Sequence, residues 1–310
     1  MVEFKNINKE EVPFDLLYLA DSDEDQINKY FHESEFIAAL IEDKIVGMVG
    51  LKELNKKSIE IVCLAVYEQW QNQKIGRQLV ENAISFSKNE AYEEVIIKTG
   101  NCGLMQLKLY MKCGFRLEKI IPDYFLEHYK FPIYEEGIQC VDQVQLKYKI
   151  YAEKEIDEKI KAYWNKFIEL FPEYKNSTYE VWSFGYGDYM ANELIGYVRQ
   201  GIKTGTSSAY EMYTETEKKP EEHDLSIVTY GNGLPGCIIK TIEIRNKLFD
   251  EINEEEARFE GEGDLSLAYW RAVHEEFFRK EYNEKGKEFT WKIPVIYEKF
   301  EVIFDDDVKQ

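Results

Sequence analysis

Residues 58–87 constrain the fold more than any other stretch, because they read as strand, short loop and helix in succession. In 58–66, Ile59, Ile61, Cys63 and Ala65 alternate with Glu60, Val62, Leu64 and Val66, the period of a strand with two distinct faces. Beyond the loop Gln71-Asn72-Gln73-Lys74-Ile75-Gly76, residues Ile75, Leu79, Ala83 and Phe86 share one helical face over 75–87. A loop that opens a helix leaves several backbone N–H groups unpaired at the positive end of the helix dipole. Such a place suits an anion, a pyrophosphate included, and Gly76 lets a ligand approach the backbone closely. Taken alone, such a strand, loop and helix with one glycine is more often plain architecture than a ligand site.

Length and charge narrow the classes. The chain has 310 residues with 39 basic and 59 acidic side chains, a formal net charge of −20. That length suggests two domains, each able to bury a core. Apolar residues at 44% and aromatics at 15% exclude a disordered chain. The acidity excludes a protein that coats nucleic acid by charge, although it allows one basic groove. No apolar run approaches the roughly 20 residues that span a membrane, and the first residues carry no signal-peptide pattern. Cys63, Cys102, Cys113, Cys140 and Cys237 are odd in number and form no C-x-x-C pair. A metal site and a disulfide framework are therefore not expected, and reduced thiols in a cytoplasmic protein are.

The boundary is placed at residue 150, giving domains 1–150 and 151–310. Residues 143–150 alternate like a closing strand, and the charged run that follows has apolar residues four apart, as in a helix. The first half holds 18 basic and 25 acidic residues, the second 21 and 34, so the second is the more acidic. In the first half, strands are expected at 36–41, 45–51, 58–66, 95–98 and 143–150, with helices at 75–87 and 104–112. This is a mixed α/β, or α+β, layered domain.

The loop at Gln71–Gly76 resembles the acyl-CoA-binding motif Q/R-x-x-G-x-G/A of the GNAT acetyltransferases. Downstream, Thr99-Gly100-Asn101 and Leu109-Tyr110-Met111-Lys112-Cys113-Gly114-Phe115 resemble a second signature of that family. The resemblance covers residues 1–150 and implies a mixed central sheet flanked by helices, with acetyl-CoA as cofactor. One position departs: Lys74 stands where the family has its first loop glycine. A side chain there either crowds the loop or offers a positive charge to the pyrophosphate.

The resemblance implies that the strand backbone at Leu64, Ala65 and Val66 pairs with the pantetheine arm. It further implies that Gln71, Asn72, Gln73, Lys74, Ile75, Gly76 and Arg77 cradle the pyrophosphate. Tyr110 matches the tyrosine that protonates the departing thiolate; a phenol with a pKa near 10 can donate at neutral pH. Its alternative role is packing on a helix. Glu60 matches the residue that acts as base through water, and otherwise is a solvated strand-end carboxylate. Asn101 either touches the cofactor or caps the following helix. The acceptor is read as a small-molecule amine, with Tyr124, His128 and Tyr129 as candidate lining.

The second half resembles an ASCH domain, a PUA-like β-barrel with helices. Trp182-Ser183-Phe184-Gly185, Gly201-Ile202-Lys203-Thr204, Glu260-Gly261-Glu262-Gly263-Asp264 and Tyr269-Trp270-Arg271 carry that likeness over about residues 163–305. Family members that hydrolyse N4-acetylcytidine have a Lys, a Thr and a Glu that Lys203, Thr206 and Glu260 match. In that reading a desolvated Lys203 loses its proton and activates the Thr206 hydroxyl, with Glu260 orienting the lysine. Two others stay open: a phosphate-binding loop built on Lys203 and Thr206, and a solvated loop. Asp264 is the expected N-cap of a helix from 265, on which Arg271 and His274 face a phosphate or neighbouring acids.

The whole reads as an N-acetyltransferase fused to an ASCH domain that takes a modified nucleoside or RNA and hydrolyses an N-acyl group. The alternative is a nucleoside- or RNA-binding regulator with a degenerate acetyltransferase domain.

Overall fold

The computed structural model describes residues 2–135 and 137–306. They fall into two compact units, one of residues up to 152 together with 187–189, the other of 153–186 and 190 onward.

The first unit runs β1 (Glu3–Ile7), α1 (Phe14–Ala20), α2 (Glu24–Phe31), β2 (Ser34–Ile41), β3 (Lys44–Asn55), β4 (Ser58–Val66), α3 (Ile75–Asn89), β5 (Glu94–Gly100), α4 (Leu104–Lys112), β6 (Arg116–Ile121), α5 (Tyr124–His128), β7 (Tyr134–Glu135), β8 (Ile138–Gln139) and β9 (Gln143–Lys149). Seven strands form one sheet in the order β1-β2-β3-β4-β5-β9-β6. Only β4 and β5 run parallel, because α3 crosses between them.

Both faces of this sheet are buried, and strand alternation sorts residues between them. Phe36, Ala38 and Met48 pack with Leu16, Leu17 and Ile27 of the first two helices. Ile37, Ala39 and Val49 pack with Ile75, Leu79, Val80 and Ala83 of α3. The fully buried Leu79 alone is worth about 1.5–3 kcal/mol. The helix therefore holds its N-terminus rigidly against the end of β4.

The second unit runs α6 (Glu153–Leu170), β10 (Glu180–Trp182), α7 (Gly187–Arg199, from residue 190), β11 (Gly205–Ala209), β12 (Leu225–Thr229), β13 (Pro235–Leu248), α8 (Glu254–Glu260), α9 (Leu267–Glu284) and β14 (Pro294–Phe304). The expected barrel is a five-stranded sheet curled into a half-barrel, in the order β10-β12-β13-β14-β11. Bulges near Thr229, Ile239 and Thr241 bend it. The edge strand β10 is only three residues long.

Two local expectations are corrected. Residues 294–297 and 300–304, which in sequence read as two strands, are one, because β13 pairs with β14 from Leu248↔Pro294 to Ile238↔Phe304. The N-cap of α9 is Ser266, whose hydroxyl accepts from Tyr269 N, whereas Asp264 accepts from Ser266 N one turn earlier.

Candidate functional site

In the first unit the sheet comes apart at its middle. The pairing of β4 with β5 stops at Ile61↔Ile97. Both strands continue, β4 on β3 as far as Val66↔Gly47 and β5 on β9 as far as Gly100↔Gln143. Val62 is the extra residue of a bulge, since β3 pairs Gly50 with Cys63 and Leu51 with Ile61. A bulge bends its strand, and here it turns β4 away from β5. The inner edge of β4 from Val62 to Val66 is left without a neighbouring strand. An extended amide-bearing chain can pair with such an edge.

The loop after this edge closes on itself. Gln71 Nε2 donates to Val66 O at 3.0 Å, so this side chain fixes the loop to the strand end. Gln73 Nε2 donates to Gln69 O at 3.2 Å. Asn72 and Lys74 both lie in the left-handed region, at φ 60° and 66°. The Lys74 conformation explains why a glycine would serve there, since a side chain at positive φ is strained by about 1–2 kcal/mol. It remains the N-cap of α3, and its carbonyl accepts from Gln78 N at 3.0 Å. The amides of Ile75, Gly76 and Arg77 thus precede the first helical hydrogen bond and sit at the positive helix end. A Cβ on Gly76 would meet Val66 at no closer than 3.9 Å. Packing within the protein therefore does not require glycine there, and room for a ligand is the remaining reason.

A cavity of about 580 Å³ lies beside the parted strands. Glu60 and Leu64 of β4, Lys98 of β5 and Tyr110 of α4 all line it. Tyr110 is 5% exposed, and burial pushes its phenol above the usual tyrosine value. It is therefore a proton-bearing donor as well as a packed ring. Glu60 is ion-paired to Lys98, with Nζ 3.0 Å from Oε1 and 3.1 Å from Oε2. Tyr124 and Tyr129 line the cavity, and His128 instead bonds back to Tyr124 O through Nδ1 at 2.9 Å. Burial raises Asp21, which also lines the cavity and accepts from Tyr129 Oη at 2.8 Å.

Asn101 does not cap the helix that follows it. Its Oδ1 accepts from Val141 N at 2.9 Å and Asp142 N at 3.2 Å, and Gly103 is the N-cap of α4. The asparagine fastens the segment before β9. The thiol expectation is corrected too: Cys102 and Cys140 are paired as a disulfide, with Cα atoms 5.1 Å apart. They are 38 residues apart in sequence, so no spacing motif reveals them. Cys63, Cys113 and Cys237 are free and buried. Lys98, the partner of Glu60, carries no motif of its own. Its position two residues beyond Ile96, the register partner of Glu60, is the signal that could have found it.

In the second unit Lys203 and Glu260 come together, each 1% exposed. Lys203 Nζ lies 3.1 Å from Glu260 Oε2 and 2.8 Å from Glu262 Oε1, and over the Phe184 ring. Burial would lower the lysine, but Glu262 and Glu260 outweigh it and hold the ammonium above its ordinary value. Burial would raise Glu260, but Lys203, His274 and the Ser207 hydroxyl hold it well below the carboxylate range. Its Oε1 accepts from Ser207 Oγ at 2.6 Å and Trp270 Nε1 at 2.8 Å. His274 stacks on Trp270 and lies 3.5 Å from Glu260 Oε2. Arg271 donates to Asp250 O. Both residues thus turn inward.

The two carboxylates beside Lys203 compensate its burial and favour the ammonium form, which weighs against a deprotonated base. Strand phase separates the rest. Ser207 faces Glu260, and by alternation its neighbour Thr206 faces the other side of β11, where it lines a second cavity. Among the described residues no group of three or more His, Cys, Asp or Glu could hold a metal ion. No described helix is long and apolar enough to cross a membrane.

Residues 3–115 match the model of the acetyltransferase (GNAT) family, and residues 180–304 that of the ASCH domain. The chain is 41% identical over 133 residues to the uncharacterized N-acetyltransferase YvbK of Bacillus subtilis (strain 168), covering 43% of this chain and 86% of that protein. Among solved structures, a GNAT family acetyltransferase from Elizabethkingia anophelis with acetyl-CoA bound is 35% identical, with a TM-score of 0.47 over 48% of this chain and 98% of that one. An ASCH domain from Lactobacillus crispatus JV V101 is 28% identical, with a TM-score of 0.45 over 47% of this chain and 94% of that one. The parted strands and the helix opening beside them agree with the family models and with the relative covered to 86%: the chain belongs to the GNAT acetyltransferase family and carries an ASCH domain in its C-terminal half.

Proposed function

We propose that the first unit transfers acetyl from acetyl-CoA to the primary amine of a small molecule. The observation that carries this reading is the parting of β4 and β5 at Ile61 and Ile97 beside the N-terminus of α3. The open edge of β4 at Leu64–Val66 suits the amides of the pantetheine arm, and the amides of Ile75, Gly76 and Arg77 suit the pyrophosphate. The amine nitrogen attacks the thioester carbonyl, and the carbon–sulfur bond breaks. Tyr110 gives its proton to the thiolate. Glu60, kept in place by Lys98, takes the amine proton through water. Acid groups along the cavity, Asp21 and Glu135 among them, draw a cationic amine to it.

For the second unit we infer a small-ligand site of nucleoside size in the cavity that Thr206 lines. Hydrolysis of an N-acyl group with Lys203 as base has no support in the geometry, because that lysine is buried, doubly paired and held protonated. The pair acts as an internal brace. Calorimetric titration with acetyl-CoA, followed by thiol release in the presence of a panel of primary amines, tests the transferase reading. Absence of acetyl-CoA binding would sink it.

A further inference from the structure

The sheet of the second unit carries polar side chains at buried positions where apolar ones are ordinary. In spatial order across the sheet, Glu180, Ser226, Thr241, Glu298 and Thr206 come one from each of its five strands, and all line one cavity of about 580 Å³. Register agrees at both margins, since Glu180 pairs with Ser226 and Thr206 with Glu298. Ser226 is 6%, Thr241 1% and Glu298 7% exposed. Burying such groups costs free energy unless something bonds them.

Glu298 has one oxygen bonded within the protein, Oε1 accepting from Thr241 Oγ1, and lines the cavity with the other open to it. Burial pushes this carboxyl up, and the charged neighbours acting on it, Asp224 and Glu180, are themselves acids. Glu281, on the same cavity, is raised by burial as well. Among the described residues lining the cavity the one ammonium, Lys218, is held by Asp224 and Glu221. Trp182, Tyr213 and Phe277 add ring faces to the lining. Carboxylates beside aromatic faces attract a cation and repel a phosphate.

We propose that this cavity binds a small organic cation, an ammonium or a positively charged heterocycle carried on a flat or apolar body. The proposal rests on the reading that this unit holds a small ligand, and it fixes the ligand's charge. The Glu298 oxygen open to the cavity receives the ligand's N–H, and the rings face its body.

The test is calorimetry on the full-length protein at about 0.15 M salt, where long-range attraction to an acidic surface is screened. Two matched pairs serve as probes: 3-methylcytidine, whose base is charged, against cytidine, and phenethylamine against 2-phenylethanol. At least one cation should bind with 1:1 stoichiometry, and its neutral counterpart at least about tenfold more weakly. Glu298→Gln should weaken that cation by a similar factor, and Glu173→Gln, an exposed charge elsewhere, should leave it unchanged. The pairs are compared on the wild type, so a poorly folding variant does not decide the matter. Equal or tighter binding of the neutral member overturns the charge assignment and leaves the small-ligand reading standing. Binding of neither member of either pair overturns both.

Discussion

Lys203 Nζ lies 3.1 Å from Glu260 Oε2 with both side chains about 1% exposed, so this ion pair is enclosed by protein on every side. Removing one partner leaves the other as an uncompensated buried charge. Lys203→Met should destabilise the second unit by about 3–5 kcal/mol. Four of the five tryptophans, Trp164, Trp182, Trp270 and Trp291, lie in that unit, so fluorescence-monitored urea unfolding reads it directly. An unchanged midpoint would mean that the pair contributes nothing.

The same pair sets a pH window. Glu260 is held below its ordinary value of 4.5, so its contribution is full above that pH and is lost as pH falls toward the folded value. Lys203 is held above 10.5, so its contribution is full below that pH and is lost as pH rises through the folded value. The pair's contribution should therefore be flat between about pH 4.5 and 10.5 and fall on both sides. Unfolding midpoints of wild type minus those of Lys203→Met, measured across pH, give this profile.

Tyr110→Phe removes the proton proposed for the leaving thiolate and keeps the ring in the core. Turnover should fall by about 10²-fold, with the acetyl-CoA dissociation constant nearly unchanged. Loss of both in equal measure would return Tyr110 to packing alone.

These sites differ in how far the sequence reveals them. The bounds of β4 and α4 are legible because alternation and helical period persist to their ends. Glu60 and Tyr110 come with the motif, and both line the cavity. The phase of β11 is not legible: Gly205-Thr206-Ser207-Ser208-Ala209 has no apolar alternation, so nothing tells that Ser207 and not Thr206 faces Glu260. The charge state of Lys203 depends on Glu262, which lies 59 residues away in sequence and which no local pattern ties to it. Leu265, at φ 65°, delays the start of α9, and the charged pair Glu298-Lys299 breaks the apolar run of β14, so one strand reads as two.

Asn101→Ala separates architecture from cofactor binding. The two amides of Val141 and Asp142 lose their acceptor, which costs about 1–3 kcal/mol for buried groups and less where water reaches them. Thermal unfolding of the first unit should move down while acetyl-CoA affinity stays the same. A lost affinity with an unchanged melting temperature would restore the direct role.

The Cys102–Cys140 link makes the last prediction numerical. Three thiols should react after unfolding in denaturant without reductant, and five after reduction, because the remaining cysteines are free. In the native state the three should be protected, since all are buried, and burial raises Cys63 and Cys237 to about 12. Thiolate, the reactive form, is then scarce near neutral pH. The link closes a loop of 38 residues, so removing it by Cys140→Ser should lower stability by about 3–4 kcal/mol on the chain-entropy account. Both cysteines line the cavity beside Tyr110, and Gly100 leaves room for them: a Cβ there would come within 2.9 Å of Cys140 Sγ. Five reactive thiols in unreduced, unfolded protein would show that the two sulfurs are neighbours without a bond.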